Sequence, residues 1–358
     1  MTAGTAYFLM PDIQAPRGGI RRAYRFVDTL NAAGIDAAIV HGSKGFRCRW
    51  FSNDTRVAYA KEIRLRGADL LVGPEIWAAR IPFAGPGVAK VILSQNTNLT
   101  FASAADAATV AKLYRAPGVL GAVVGSEHDA EFFAYALSDL VVRRIHYGVD
   151  TNLHHATDPK SFVVSYIPRK LPDEARAVVE LLRLRGALEG WEVAPIGDMD
   201  ESAYAAVLRR SRVFLSFAHQ EGLGLPPLEA MACGCTVVGF DGIGGRELFQ
   251  HHGISVDNGD VLAFAQEAEQ VLRGWKTDPA LFERAATEAS EFARTTFSLE
   301  RERLDVLSVF GQFLELAAEG EHNGSQSALD RFWSVPPPWR VAGHHLRKAR
   351  KALFGSRP

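Results

Sequence analysis

The chain has 358 residues, enough for two domains of ordinary size. Its 40 basic and 41 acidic residues leave a net charge of −1, so the overall charge carries no footprint for nucleic acid. Hydrophobic residues make up 47% of the chain, yet no apolar run approaches the roughly eighteen residues needed to cross a bilayer, which predicts a folded globular protein.

The N-terminus shows no basic n-region with a cleavage site, so no secretory signal is expected and a cytoplasmic location is the default. Three cysteines, Cys48, Cys233 and Cys235, do not make a disulfide framework and fit a reducing compartment. The Cys233-Gly-Cys235 pair has no further Cys or His at zinc spacing beside it and reads as packing at a helix end.

In chain order, residues 5–10, 37–41, 68–73 and 89–94 are short apolar runs ending in Gly, Pro, Ser or His, as parallel strands do. Between the first two, Ile20, Ala23, Tyr24, Val27 and Leu30 recur at helical spacing, and Gly34 closes the helix. Strand, helix and strand in that order predict a doubly wound α/β half. The turn at Gly18-Gly19 opens that first helix without the G-x-G-x-x-G spacing, and adjacent glycines there either expose backbone N–H groups to a phosphate or serve as a plain turn. His41 ends a strand, where a lone histidine is more often structural than catalytic. Residues 94–98, Ser-Gln-Asn-Thr-Asn, leave a strand with five polar side chains in succession, either as a site lining or as a solvated turn. Residues 50–62 and 101–119 read as connecting helices and loops.

In the second half, residues 161–167 form a strand that delivers Arg169 and Lys170 to a sheet's carboxyl edge. Two cations there suit a diphosphate, Arg169 through its planar fork and Lys170 as a point charge; the competing reading is a solvated basic turn. A helix over 172–185 and a strand over 191–196 follow, then a turn at 197–200 whose aspartates cap a helix over 201–210.

Residues 212–217 are a β-branched and aromatic run that reads as a buried parallel strand. Gly222 and Gly224 lie in the turn after it, and Pro226-Pro227 opens the next helix. Glu221 and Glu229 flank that turn with seven residues between them. Open α/β sheets bind ligands at such strand ends, and carboxylates fixed there can accept hydrogen bonds from the hydroxyls of a sugar or a ribose. Glu229 alone would also be explained as an acid complementing the helix dipole.

The stretch from Glu221 to Gly234, Glu-Gly-Leu-Gly-Leu-Pro-Pro-Leu-Glu-Ala-Met-Ala-Cys-Gly, resembles the signature E-G-[FL]-G-L-P-x-x-E-A-M-A-x-G of the family 4 retaining glycosyltransferases of the GT-B fold. Gly18-Gly19 resembles the family's glycine pair facing the donor diphosphate, and Ile145-His146-Tyr147-Gly148-Val149-Asp150 its I-x-x-G-V-D turn, with Tyr147 where asparagine is usual. Gln95 and Asn96 stand near where members often place a histidine, and Arg169 and Lys170 are adjacent where the family usually separates its two cations.

The resemblance implies two facing Rossmann-like domains with parallel sheets, residues 1–155 on the acceptor side and 156–298 binding a nucleotide sugar, a crossover helix over 299–320 and a basic tail over 321–358. It implies retaining, metal-independent transfer of a hexose or deoxyhexose from a nucleoside-diphosphate sugar to a saccharide, lipid-linked or small-molecule hydroxyl, as in polysaccharide synthesis, with no cofactor. Glu221 would accept from the transferred sugar and Glu229 from ribose. Arg169, Lys170 and the amides of Gly18 and Gly19 would hold the diphosphate. Gly222, Leu223, Gly224 and Leu225 would line the donor site, with Met199 near the base and Gln95 and Asn96 toward the acceptor. A GT-B epimerase and a non-catalytic nucleotide-sugar scaffold remain the alternatives.

Beyond this core, the aspartate at 260 caps a helix, and residues 299–318 form the last one, with Leu304, Leu307, Phe310, Leu314 and Ala318 as its apolar stripe. From Arg331 onward come seven Arg and Lys, no acid and several aromatics, a mixture that either meets an anionic membrane or lipid-linked acceptor or remains a solvated tail.

Overall fold

The computed structural model describes residues 4–15, 17–81, 84, 87–102, 106–197, 199–319 and 329. Asp198 and the basic tail from Arg331 therefore lie outside the described residues. Contacts divide the chain into one unit of Met1–Val123, Ala136–Arg143 and Leu307–Pro358, and a second of Val124–Tyr135 and Arg144–Val306.

The first unit is built on a seven-stranded sheet. In chain order its elements are β1 (Ala6–Leu9), α1 (Gly18–Ala32), β2 (Ala37–His41), β3 (Val57–Tyr59), β4 (Leu70–Pro74), β5 (Ala89–Ser94), α2 (Ala107–Tyr114), β6 (Val119–Val124), α3 (Glu127–Ala136) and β7 (Val142–Arg144); most of α3 counts with the second unit. The strand order is β3-β2-β1-β4-β5-β6-β7. Strands β2, β4 and β5 are buried along their whole length, as expected of parallel strands covered on both faces. The strand β3 is short and only half-buried, and it falls inside the 50–62 stretch that sequence reads as connecting helices and loops. The expected histidine role is structural: His41 is fully buried, its ring 2.7 Å from the Tyr24 hydroxyl and 3.0 Å from Asp12.

The second unit carries a five-stranded sheet in the order β12-β11-β10-β8-β9. Its elements are β8 (Val163–Tyr166), α4 (Pro172–Leu184), β9 (Glu192–Pro195), α5 (Glu201–Arg210), β10 (Val213–Glu221), α6 (Leu225–Ala232), β11 (Thr236–Ile243), α7 (Arg246–His252), β12 (Gly253–Val256), α8 (Val261–Thr277) and α9 (Pro279–Thr296). All four pairings are parallel. Phe217 and Phe240 from neighbouring strands meet Phe264 of α8, with ring centroids 4.7 and 5.0 Å away, in a core that also takes Trp191 and Trp275. The caps expected from sequence form: Asp200 Oδ1 accepts from Ala203 N at 2.8 Å, and Asp260 Oδ1 from Ala263 N at 2.9 Å. All three cysteines are buried and free, and burial pushes the Cys233 and Cys235 thiols up, as befits packing rather than chemistry.

The last helix, α10 (Leu299–Glu319), begins in the second unit and passes into the first at Leu307. Its apolar stripe differs from the expected one. Val306, Val309, Phe310, Phe313 and Ala317 are buried, whereas Leu304 is 50% exposed. Both stripes repeat at helical spacing and share Phe310, so periodicity alone does not choose between them. Among the described residues no helix is long and apolar enough to cross a membrane.

Candidate active site

The site is assembled around the end of β10. This strand is buried from Val213 to Ala218 and then turns outward, with a register shift against β11 between Ala218 and Glu221. Gln220 at φ 48° and Ile243 at φ 71° adopt the left-handed region on either side of that shift. For a β-branched residue such as Ile243 this is a real outlier, costing on the order of 1–3 kcal/mol, and backbone strain of this kind gathers at functional sites. Glu221 therefore stands on a bent strand end, with its side chain 17% exposed.

The turn from Gly222 to Gly224 leads into α6. Gly224 is the helix N-cap at φ 85°, a conformation that glycine adopts without penalty, and Pro226 and Pro227 occupy the first turn where a missing N–H is harmless. Helix α6 is buried from Pro227 through Ala232. Leu223 is 3% exposed and Gly222 is buried. The glycines after β11 support this turn from behind, since a Cβ on Gly244 would lie 2.0 Å from the Gly222 carbonyl oxygen. That packing accounts for Gly244 without a ligand. Glu247 of α7 has a structural partner set as well, accepting from Glu127 N at 2.9 Å and from Arg144 Nη2 at 2.5 Å.

Because β8 and β10 are neighbours, the turn after β8 reaches the same edge as Glu221. Lys170 in that turn donates to Glu221 Oε1 and forms an ion pair with it. Arg169 beside it is exposed, and no hydrogen bond or ion pair of its guanidinium is found among the described residues. The loop after β9 leads through Met199, 36% exposed, to Asp200 at the start of α5. One turn into that helix, the Tyr204 hydroxyl donates to Glu229 Oε2 at 2.8 Å. Glu229 itself is only 6% exposed, so its carboxylate is held in a largely dry setting by a neutral donor.

In the first unit, Gly18 and Gly19 are the first two residues of α1, behind Arg17 as N-cap. Gln95, just past β5, lies on Gly19: its Nε2 donates to the Gly19 carbonyl at 3.0 Å, and a Cβ at position 19 would sit 2.0 Å from Gln95 Oε1. A Cβ there would displace the flexible end of the Gln95 side chain from this position. The Asn96 side chain accepts from Asn98 N at 3.1 Å and closes the short helical turn that follows.

The structure thus joins Lys170 to Glu221 within the second unit and Gln95 to Gly19 within the first. It adds Tyr204, which sequence reasoning misses because a tyrosine four residues past a capping aspartate carries no motif. A cavity of about 260 Å³, lined by Asp241, Arg246, Ser255 and Asp257 among others, opens beside β11, α7 and β12 and contains none of these residues. It lies at the carboxyl ends of β11 and β12 beside α7, and the strained end of β10, which carries Glu221, is the better candidate for chemistry.

Residues 155–274 match the family model described as Glycosyl transferases group 1. Over 74 residues, 19% of the chain, the sequence is 40% identical to an alpha-1,6-glucosyltransferase of Actinobacillus pleuropneumoniae serotype 7 (strain AP76). Over 109 residues, 30% of the chain, it is 33% identical to the lipopolysaccharide core biosynthesis mannosyltransferase LpcC of Rhizobium leguminosarum bv. viciae. The matched stretches span 22% and 30% of those two relatives. Among solved structures, HepE of Anabaena in complex with UDP-glucose superposes with a TM-score of 0.62 at 14% identity, covering 86% of this chain and 99% of that one. Likeness at this identity is one of fold, and with two parallel Rossmann-like sheets it gives the chain the GT-B fold, with a Glycosyl transferases group 1 stretch in its second unit.

Proposed function

We propose that this protein is a family 4 glycosyltransferase that moves a hexose or deoxyhexose from a nucleoside-diphosphate sugar to a hydroxyl acceptor, with retention and without a metal. The observation that carries the reading is the pair of acids across the β10–α6 turn, with Lys170 beside Glu221 at the same sheet edge. The matched family stretch contains that whole turn, and the relatives named above transfer glucose and mannose. The LpcC relative, named for lipopolysaccharide core biosynthesis, supports a saccharide or glycolipid acceptor, and the UDP-glucose held by HepE supports a nucleotide-sugar donor.

In this reading Glu229 accepts from ribose hydroxyls and Glu221 from hydroxyls of the transferred sugar. Arg169, Lys170 and the amides of Gly18 and Gly19 face the diphosphate, where positive groups stabilise charge as it grows on the departing oxygen. The bond between C1 and the phosphate oxygen breaks, the acceptor oxygen bonds to C1 from the same face, and the acceptor's proton passes to the leaving phosphate. No protein base is required for that step. Gly222, Leu223, Gly224 and Leu225 line the donor, Met199 lies toward the base, and Gln95 and Asn96 toward the acceptor.

The test is a thermal-shift screen of UDP-, GDP-, ADP- and dTDP-sugars, followed by an assay for released nucleoside diphosphate with saccharide and lipid-linked acceptors. Stabilisation by one donor class, with turnover that Glu229→Ala abolishes through donor affinity, is expected. Binding without release on any acceptor would favour a scaffold, and interconversion of epimeric sugars an epimerase.

A further inference from the structure

We propose that Tyr204 is a positioning residue for Glu229, and that its hydroxyl sets the carboxylate to distinguish a ribose from a deoxyribose donor. The inference rests on the reading of Glu229 as the acid that accepts from ribose hydroxyls.

A glutamate side chain has three torsions, and a carboxylate that must meet two adjacent hydroxyls in a fixed plane gains from having them locked beforehand. Helix α6 fixes only the Cα of Glu229. The Tyr204 hydroxyl donates to its Oε2 at 2.8 Å and so helps to hold the carboxylate in one plane. That hydroxyl is itself well anchored. Asp200 caps α5 through Ala203 N, and Tyr204 N donates to the Asp200 carbonyl at 3.0 Å, so the tyrosine sits in the first ordered turn of the helix. Its ring lies edge-on to His154, 5.8 Å between centroids, and His154 is 2% exposed.

The direction of the bond matters. A tyrosine hydroxyl has a single proton to give, and an ionised carboxylate only accepts, so the bond runs from the Tyr204 hydroxyl to Glu229 Oε2. Tyr204 stands one turn into α5, the helix that begins just after Met199, so one helix start ties the proposed base-side residue to the proposed ribose acid. A shift in one would therefore be felt in the other.

The experiment compares wild type, Tyr204→Phe and Glu229→Gln for binding of whichever of UDP, GDP or ADP binds tightest, together with its 2′-deoxy and 3′-deoxy counterparts, by calorimetry. Phenylalanine keeps the ring against His154 and removes only the hydroxyl. In Tyr204→Phe the Kd for the ribose form is expected to rise about tenfold, the scale of one hydrogen bond to a charged group, while the ratio of deoxy to ribose Kd falls toward one. With a saturating sugar donor, KM rises and kcat stays within about twofold, since no group at the reacting carbon has changed. If Glu229→Gln loses affinity and discrimination while Tyr204→Phe keeps both, the positioning role is overturned and the ribose reading stands. A Tyr204→Phe protein of lower Tm and weaker binding, but with the deoxy-to-ribose ratio of wild type, would also overturn it, because only general support would then have been lost. If Glu229→Gln binds ribose and deoxyribose forms as wild type does, the ribose reading fails and this inference with it.

Discussion

Lys170 and Glu221 neutralise each other at the sheet edge, and each is proposed to have a different ligand when a donor is bound. The lysine would turn to the diphosphate and the glutamate to the sugar hydroxyls, so the ion pair competes with both. Its side chains are 37% and 17% exposed, which keeps the pair within the modest range of partly solvated bridges, about 1 kcal/mol or less. Glu221→Gln should therefore leave the affinity for a bare nucleoside diphosphate unchanged or raise it up to about fivefold, while sugar transfer falls by roughly a hundredfold or more. Calorimetry against the diphosphate and a release assay with the full donor would separate the two effects. A diphosphate affinity that dropped with the transfer rate would show that Glu221 supports the lysine rather than opposing it. Both acids are legible in the sequence because their interval and the glycines between them follow from one strand–turn–helix geometry. Neither the Lys170–Glu221 bond nor Tyr204 is legible, since each joins residues of separate elements, and the left-handed Gln220 and Ile243 have no signature in residue type.

At the scale of elements, β5 holds a charge in an unusual place. Lys90 is 1% exposed within a strand buried along its length, its ammonium donating to the Val88 carbonyl at 2.6 Å. Burial pushes its pKa down from the ordinary 10.5 to about 8. Above pH 8 the folded chain has given up this proton while the unfolded chain keeps it up to about 10.5, so the unfolded state binds more protons and stability from this group rises with pH across that window. Below pH 8 both states are protonated and the fold carries the cost of the buried cation, on the order of 3 kcal/mol at ~1.36 kcal/mol per pH unit. Lys90→Met is thus expected to be more stable than wild type at pH 7 by up to about that amount, the difference narrowing between pH 8 and 10. Urea titrations at pH 7, 9 and 10 measure it, and a difference independent of pH would mean that packing, not charge, sets the effect. The strand itself is read correctly from sequence despite the lysine, because the other five of its six residues are apolar or small. The strand β3 is missed for the opposite reason, three half-buried residues being too few to show a period.

For the whole molecule, the sequence order of strand and helix signals is enough to give two parallel sheets, since short apolar runs alternate with stretches of helical spacing and the turns between them are marked by Gly, Pro or polar residues. Those signals by themselves do not say which unit α10 serves; the resemblance implies a crossover helix over 299–320. From Leu307 onward that helix belongs with Met1–Val123, and Phe310 lies against Phe8 of β1 and Phe26 of α1, with ring centroids 5.0 and 6.0 Å away. All three rings are fully buried, so the core of the first unit is closed by a residue just over 300 positions downstream of the strand it covers. Phe310→Ala should cost about 3–5 kcal/mol, the usual loss for emptying a large aromatic site in a packed core. The expected signature is a lower urea midpoint for the transition of the first unit, with nucleoside-diphosphate affinity at native conditions reduced by no more than the share of the Gly18-Gly19 amides, because the acids and cations of the proposed donor site lie in the other unit. A loss below about 1 kcal/mol would mean that the core re-closes without the ring, and that α10 is an appendage of the first unit rather than part of its interior.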